Sequence, residues 1–250
     1  MIINKLYNDT VVLKFDGFKH LYTVNGEIVP SVTGVLSVIN KPALVAWAAR
    51  TAVEYIATCI HPGEALDEVQ LAAIWQAGTS AHYQHKVDAG DLGKFVHKWI
   101  EDYIKGNNPG RPVNEGLQVS IDQFLVWVEE HNVKFRMSEQ PIYSRKYKYA
   151  GTLDFICEIN GKLYIGDTKT SSGIYDEMWI QTAAYRQARS EEFPNEKYVG
   201  QLIIRIGKVG SFEFAKMTDP IWYNRMLVGF VSALKLKNTL DLLKDFKVDK

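Results

Sequence analysis

Two cysteines, Cys59 and Cys157, are all that the 250 residues contain, and neither has the close partner that a zinc site or a disulfide framework needs. Both thiols are expected to be reduced and structural. Net charge of either sign is also missing, with 29 basic side chains against 29 acidic ones. That balance excludes a protein that coats nucleic acid by bulk electrostatics, because such proteins are strongly basic. A local basic groove remains compatible with a total of zero. No apolar run approaches the length needed to cross a bilayer, and the opening MIINKLYNDT lacks the apolar centre of a signal peptide. A cytoplasmic protein without a membrane partner is expected. There is no internal repeat and no low-complexity segment.

What is present is ordinary globular composition, 46% hydrophobic and 23% charged. The length suits one large domain, residues 1–250, in two parts. Residues 1–132 read as mostly helical behind a small β-hairpin. Thr10 to Phe15, His20 to Val24 and Glu27 to Val29 have strand composition, with Asn25-Gly26 as a tight turn. Ser31 or Thr33 can cap a short helix, and Pro42 can open the next at its first position. Further helices are expected over Leu66 to Val87, with a break near Ala77-Gly78-Thr79, then over Asp91 to Lys105, and around Ile121 to Val128. Residues 133–250 change character. Val133 to Tyr143, Ala150 to Ile159 and Lys162 to Asp167 read as strands, with Asn160-Gly161 turning between the last two. A helix from about Asp176 to Ser190, a second hairpin around Gly207 to Gly210, and a helix from Pro220 to Asp245 complete the chain. This β-β-β-α-β order predicts an α/β (α+β) fold with a mixed central sheet flanked by helices.

Asp154 lies in an otherwise apolar strand, and Asp167 ends the next. Charged groups are seldom buried in sheets unless paired or bound to a cation, because desolvation costs several kcal/mol. The Asn160-Gly161 hairpin can set the two carboxylates at the same end of the strand pair, and a divalent cation would relieve their repulsion. Oxygen ligands of this kind suit Mg²⁺ or Mn²⁺ rather than zinc. Lys169, two residues after Asp167, shares its face in extended chain. An ammonium there can hold a nucleophilic water or stabilise charge on phosphorus. Alone, such a triplet reads as a solvated strand end. The following helix adds Gln181 and Tyr185, one turn apart on one face; singly these read as a surface amide and a core-edge aromatic.

Gly151-Thr152-Leu153-Asp154, Asp167-Thr168-Lys169 and Gln181-x-x-x-Tyr185, in that order, resemble the PD-(D/E)XK nuclease superfamily. Within it, they resemble the RecB-like branch of phage and mitochondrial genome-maintenance exonucleases. His20-Leu21-Tyr22 through Val29-Pro30-Ser31-Val32-Thr33 resembles the opening hairpin and helix cap of the phage members. Gly93-x-x-x-His97 resembles the helix that brings a further histidine to the metal. The likeness covers most of residues 20 to 190. The literal Pro-Asp pair is absent, since Leu153 precedes Asp154, and this branch commonly carries Gly-x-x-Asp there. The resemblance implies a restriction-endonuclease-like fold and Mg²⁺- or Mn²⁺-dependent hydrolysis of DNA phosphodiesters, with His97, Asp154 and Asp167 on the metal. It assigns Asp154, Asp167, Lys169, Gln181 and Tyr185 to the catalytic set. A DNA substrate follows, with a single-strand-binding or recombinase protein as the implied partner, in the host cytoplasm for a phage-encoded chain.

Gly78-Thr79-x-x-His82 also fits the glycine-to-histidine spacing loosely, so His82 competes with His97. His97 is preferred, with Glu101 one turn further along the same face. Lys146 and Lys148, interleaved with Tyr147 and Tyr149, can follow a DNA backbone while the rings stack on bases; an exposed strand edge explains them equally. Arg186, Arg189 and Lys208 can meet phosphate or simply be solvated. Glu139 can approach the metal, although a surface strand glutamate is the plainer reading. Trp47 and Trp99 are expected in the helical core. A structure- or sequence-specific endonuclease, a non-catalytic DNA-binding subunit and a small-phosphoester hydrolase are the competing functions.

Overall fold

Left-handed backbone at Tyr7, Asn8 and Asp9 (φ 53°, 54° and 65°) turns strand β1 (Ile2–Leu6) back onto β2 (Val11–Asp16). Strands β3 (Leu21–Val24) and β4 (Glu27–Val29) follow, joined at Asn25 and Gly26, both with positive φ as a type I′ turn requires. The four strands form an antiparallel sheet in chain order. Strand β1 is absent from the sequence expectations because it is an edge strand with Ile2 and Ile3 largely exposed, so no period-two burial marks it. Residues 1–244 and Phe246 are described in this structure, a computed structural model.

Helix α1 (Val32–Leu36) starts where Ser31 Oγ accepts from the Gly34 amide at 2.9 Å, the expected cap. Helix α2 (Pro42–Cys59) begins with proline at its first position. Helix α3 (Glu68–Ile104) then runs for 37 residues without interruption. The expected break near Gly78 and the separate helix from Asp91 are corrected by this. A helical glycine costs about 1 kcal/mol against alanine but does not end a helix, and Gly78 has a packing reason: a Cβ there would lie 2.8 Å from Ile56 Cγ1.

Helix α4 (Glu115–Glu130) is capped by Asn114, whose side chain accepts from the Leu117 amide. Next come β5 (Lys134–Ser144), β6 (Tyr149–Ile159), β7 (Lys162–Lys169), α5 (Asp176–Glu192), β8 (Tyr198–Ile206), β9 (Phe212–Met217) and α6 (Pro220–Leu243). Asp245, the expected end of the last helix, lies outside the described residues. Strands β5 to β9 form one sheet in chain order; β7 and β8 are parallel across helix α5, and the other pairs are antiparallel. The fold is thus mixed α/β, with two sheets and six helices among the described residues. None of those helices is long and apolar enough to cross a membrane.

The chain divides into two compact units. One comprises residues 40–95, which are α2 and the first part of α3. The other comprises residues 1–39 with the chain from Val96 onward. In this larger unit α5 lies against one face of the five-stranded sheet, where Gln201 donates to Trp179 O and Thr182 Oγ1. Helix α4 lies against the other, where Trp127 and Phe124 meet Phe212, Phe214 and Phe135. The parity of the strands explains both contacts. Gln201 pairs with Met217 and Ile204 with Phe214, so residues of opposite parity project to opposite faces.

Candidate functional site

Pairing between β6 and β7 runs from Ile159↔Lys162 up to Phe155↔Gly166 and stops. One further step in that register would set Asp154 opposite Asp167. Instead the strands part, and the Thr168 amide donates to Asp154 Oδ2 at 2.7 Å, so the carboxylate takes the place of a ladder carbonyl. Gly166 secures this junction from the opposite face, because any Cβ would fall 1.9 Å from Phe155 Cε2. Gly151 does the same further along β6, where a Cβ would meet Tyr185 Cε1 at 3.2 Å and Val32 Cγ2 at 3.3 Å. The glycine of Gly-x-x-Asp thus lets α1 and α5 close on β6.

Around Asp154 three potential ligands converge. His97, in the last two turns of α3, places Nδ1 3.3 Å from Asp154 Oδ2. Glu139 completes the group: ligand atoms of His97, Glu139 and Asp154 all lie within 4.8 Å of one another. Glu139 has φ 49° inside β5, between the pairs Ser138↔Phe155 and Gln140↔Leu153. A non-glycine residue in left-handed backbone costs of order 1–3 kcal/mol, and such strain concentrates at functional sites. Burial, with Asp154 and Glu101 as anionic neighbours, pushes the Glu139 carboxyl up to about 7. These three side chains could hold one metal ion among them.

Beside this group runs a hydrogen-bonded chain. Lys169 Nζ is 2.6 Å from Asp167 Oδ2 and donates to Gln181 Oε1 at 3.1 Å. Gln181 Nε2 donates to Asp167 Oδ1 at 3.2 Å and to the Tyr185 hydroxyl at 2.8 Å. Asp167 is wholly buried. Burial pushes its carboxyl up to about 6, against the pull of Lys169 and with Asp154 adding to the rise. Burial alone would lower the Lys169 ammonium, but Asp167 and Asp154 outweigh it and its pKa is raised. Burial also drives the Tyr185 hydroxyl well above its ordinary value, so it stays protonated. The result is a fixed cation beside a buried carboxylate, oriented by an amide from α5.

The structure therefore groups His97 and Asp154 with Glu139, whereas Asp167 is engaged by Lys169 and Gln181. Glu101 points its carboxylate at Lys98 and Lys105, and the Lys105 contact holds it below the ordinary range. His82 sits in the other unit, its ring 6.4 Å from that of Trp47. Thr168, which contributes only a backbone amide, left no sequence signal.

Other candidates have structural partners. Lys146 and Lys148 lie on the β5–β6 turn, where the Lys146 amide donates to Glu191 Oε2 at 3.1 Å. Tyr149 is fully buried and donates to Ala184 O at 2.7 Å, so its ring is not open to stacking. Arg186 donates to Tyr198 O at 2.6 Å and lies over the Tyr223 ring. Arg189 is buried against Glu196. Trp99 is buried as expected, donating to Gly110 O at 2.9 Å, but Trp47 remains 37% exposed rather than filling a core. Cys59 and Cys157 are both unpaired.

No protein-family model matches the chain, and no curated protein does. Among solved structures it is similar to the one described as the crystal structure of SSO0001. The identity is 17% and the TM-score 0.31, over 49% of this chain and 57% of that one. The chain thus spans little more than half of that protein, and a likeness at this level carries no argument.

Proposed function

We propose that this chain is a Mg²⁺- or Mn²⁺-dependent deoxyribonuclease, an exonuclease of the PD-(D/E)XK kind, on a restriction-endonuclease-like core. The observation that carries the reading is the meeting of two groups at one end of β6 and β7: His97, Glu139 and Asp154, beside Asp167, Lys169, Gln181 and Tyr185. The β5-β6-β7 meander, with α5 leading to a parallel β8, supports the core arrangement.

His97, Glu139 and Asp154 are the residues that would hold the cation, with Asp167 available once freed from Lys169. A bound divalent cation supplies a Lewis acid that makes water a better nucleophile and withdraws charge from phosphoryl oxygens. Lys169 keeps its proton on Nζ and presents a compact positive charge where negative charge grows on phosphorus. Asp167 Oδ2 and Gln181 Oε1 fix that ammonium, so little reorganisation is needed when a phosphate arrives. Tyr185 holds the Gln181 amide in the orientation that allows this.

The test is incubation of end-labelled linear DNA and covalently closed circular DNA with Mg²⁺ or with EDTA. Degradation of linear DNA alone, abolished by EDTA, is the expected result. Cutting of the closed circle identifies an endonuclease on the same site. No metal-dependent cutting of either substrate overturns the proposal.

A further inference from the structure

Beside Lys169, on the next strand, stands an arginine that the proposed chemistry leaves unused. Parallel pairing sets Arg205 of β8 level with Lys169 of β7, one strand spacing of about 4.8 Å away. Paired residues of neighbouring strands project to the same face. The Arg205 guanidinium and the Lys169 ammonium therefore share the side of the sheet that α5 covers. Both lie where the chain leaves the sheet, toward Ser171 after β7 and Gly207 after β8.

The guanidinium is held in place from several sides. Nε donates at 2.9 Å to Oε2 of Glu213, the register partner of Arg205 on β9. Nη1 donates to Ser171 O at 3.4 Å and to Ser211 Oγ at 3.3 Å. Gly207 leaves the room for this, since a Cβ there would lie 2.8 Å from Arg205 Nη1 and 2.1 Å from Ser211 Oγ. The side chain is only 12% exposed. Arginine carries its N–H donors in a planar fork, two of them on Nη2. Among the described residues Nη2 has no partner, and it is not sealed from solvent. A cross-strand ion pair with Glu213 requires Nε alone. It accounts neither for the hold on Ser171, two residues past Lys169, nor for the open Nη2. Lys98 and Lys105 on α3, by contrast, are exposed and already ion-paired with Glu101.

We propose that Arg205 binds a substrate phosphate next to the one that Lys169 meets, so that the ends of β7 and β8 grip consecutive phosphates of one strand. The proposal rests on the phosphodiesterase reading of this site. A forked guanidinium takes phosphoryl oxygens through charge-assisted bonds of fixed direction. Glu213 and Ser211 orient the fork beforehand, so little rotamer freedom is lost on binding. The contact is the same before and during cleavage of the neighbouring P–O bond. It therefore strengthens binding without accelerating chemistry, the opposite of what Lys169 does. Its ligand is a phosphoryl group, either an internal diester or the monoester at a 5′ end.

The experiment uses the full chain. Binding of a labelled linear duplex, with 5′-phosphate or 5′-hydroxyl ends, is followed by fluorescence anisotropy in EDTA across a salt series. The proteins are wild type, Arg205→Met, Arg205→Lys and Glu213→Gln, with thermal unfolding as the check on folding. Arg205→Met should weaken binding roughly tenfold, the weight of one charged hydrogen bond, and lower the salt slope by about one. Its single-turnover rate at saturating DNA with Mg²⁺ should stay that of wild type. Arg205→Lys should keep the slope and lose part of the affinity, which keeps the test decisive if Arg205→Met unfolds. Glu213→Gln ends the ion pair but leaves an acceptor for Nε, so DNA should bind at least as tightly. Loss confined to 5′-phosphorylated ends supports the proposal with the terminal monoester as ligand, and equal loss on both duplexes supports it with the backbone diester. Unchanged affinity and slope in Arg205→Met overturn it. So does a parallel loss in Glu213→Gln, which makes Arg205 a brace of the β8–β9 hairpin, and so does a wild type that binds neither duplex. Binding that depends on Arg205 without metal-dependent cleavage supports the phosphate contact and overturns the nuclease reading, so the two failures are told apart.

Discussion

The two faces of the five-stranded sheet are built from the same strands and carry different side chains. Toward α4 the sheet shows Phe135, Phe155, Phe212 and Phe214, gathered with Trp127 around fully buried Phe124. Toward α5 it shows Asp167 and Lys169, hydrogen-bonded to Gln181, and Gln201, which donates to Trp179 O and Thr182 Oγ1. Aromatic pairs add about 0.5–1.5 kcal/mol each beyond their area, whereas a buried ion pair is weak evidence for stability. The comparison teaches that the polar chain is a local feature of its face, because beside it Ile142, Ile156, Ile165, Ala184, Ala188 and Phe230 belong to a buried apolar cluster. Alternation with period two is what allows one strand to serve both.

Substitutions that separate the faces break or sharpen this comparison. The largest effect is expected at Asp154. Asp154→Asn keeps an acceptor for the Thr168 amide, so the midpoint of thermal unfolding should stay close to wild type. DNA cleavage should fall below detection, since the ligand set loses an anion that nothing replaces. Lys169→Met should lower the single-turnover rate on the order of 10²–10³, with Mn²⁺ binding by calorimetry retained. An unchanged rate with weakened DNA binding would make Lys169 a docking residue instead.

Gly166→Ala should do the reverse. Its Cβ would fall 1.9 Å from the Phe155 ring, and overpacking of this kind costs about 1–3 kcal/mol. Urea denaturation should show that loss, and unaltered stability would disprove the tight Phe155 contact.

A smaller effect concerns pH. Glu139 rises from its ordinary 4.5 to about 7, because burial and Asp154 disfavour its charge. A raised carboxyl favours the folded state when protonated. Its contribution is fully present below about pH 4.5 and is lost as pH rises through about 7. Metal-free protein should therefore lose stability across that window, and Mn²⁺ should bind more tightly with rising pH as the carboxylate forms. Glu139→Gln should flatten both slopes. Slopes identical to wild type would show that Glu139 does not titrate there. The smallest effect is expected at Lys146→Ala: a slight, salt-dependent loss of DNA affinity, about one unit in the salt slope.

Much of the polar face was legible because it is local. Asp167 and Lys169 are two apart in a strand, Gln181 and Tyr185 four apart in a helix, and Asn160-Gly161 announces the turn between β6 and β7. Glu139 was not legible in the same way. Its place beside Asp154 depends on left-handed backbone in β5 and on a neighbouring strand, and neither leaves a pattern in the residues around it. Asp154 and Asp167 were paired from their repulsion across the turn and His97 was added by the resemblance, whereas the ion pair of Asp167 with Lys169 is a geometric fact that the residues alone do not announce. The continuity of α3 was missed for a related reason. Gly78 reads as a breaker alone, yet it answers to Ile56, 22 residues earlier. Trp47 misled in the other direction, since an aromatic on a helix face suggests a core that residues 40–95 do not have.

The central claim is the proposal that the polar end of β6 and β7 is a metal-dependent phosphodiesterase site. The most direct measurement is single-turnover cleavage of linear duplex DNA with Mg²⁺, normalised to folded protein, for wild type, Asp154→Asn and Gly166→Ala. The account predicts cleavage by the wild type, a comparable rate per folded molecule for Gly166→Ala, and none for Asp154→Asn. Cleavage by Asp154→Asn at the wild-type rate would contradict it.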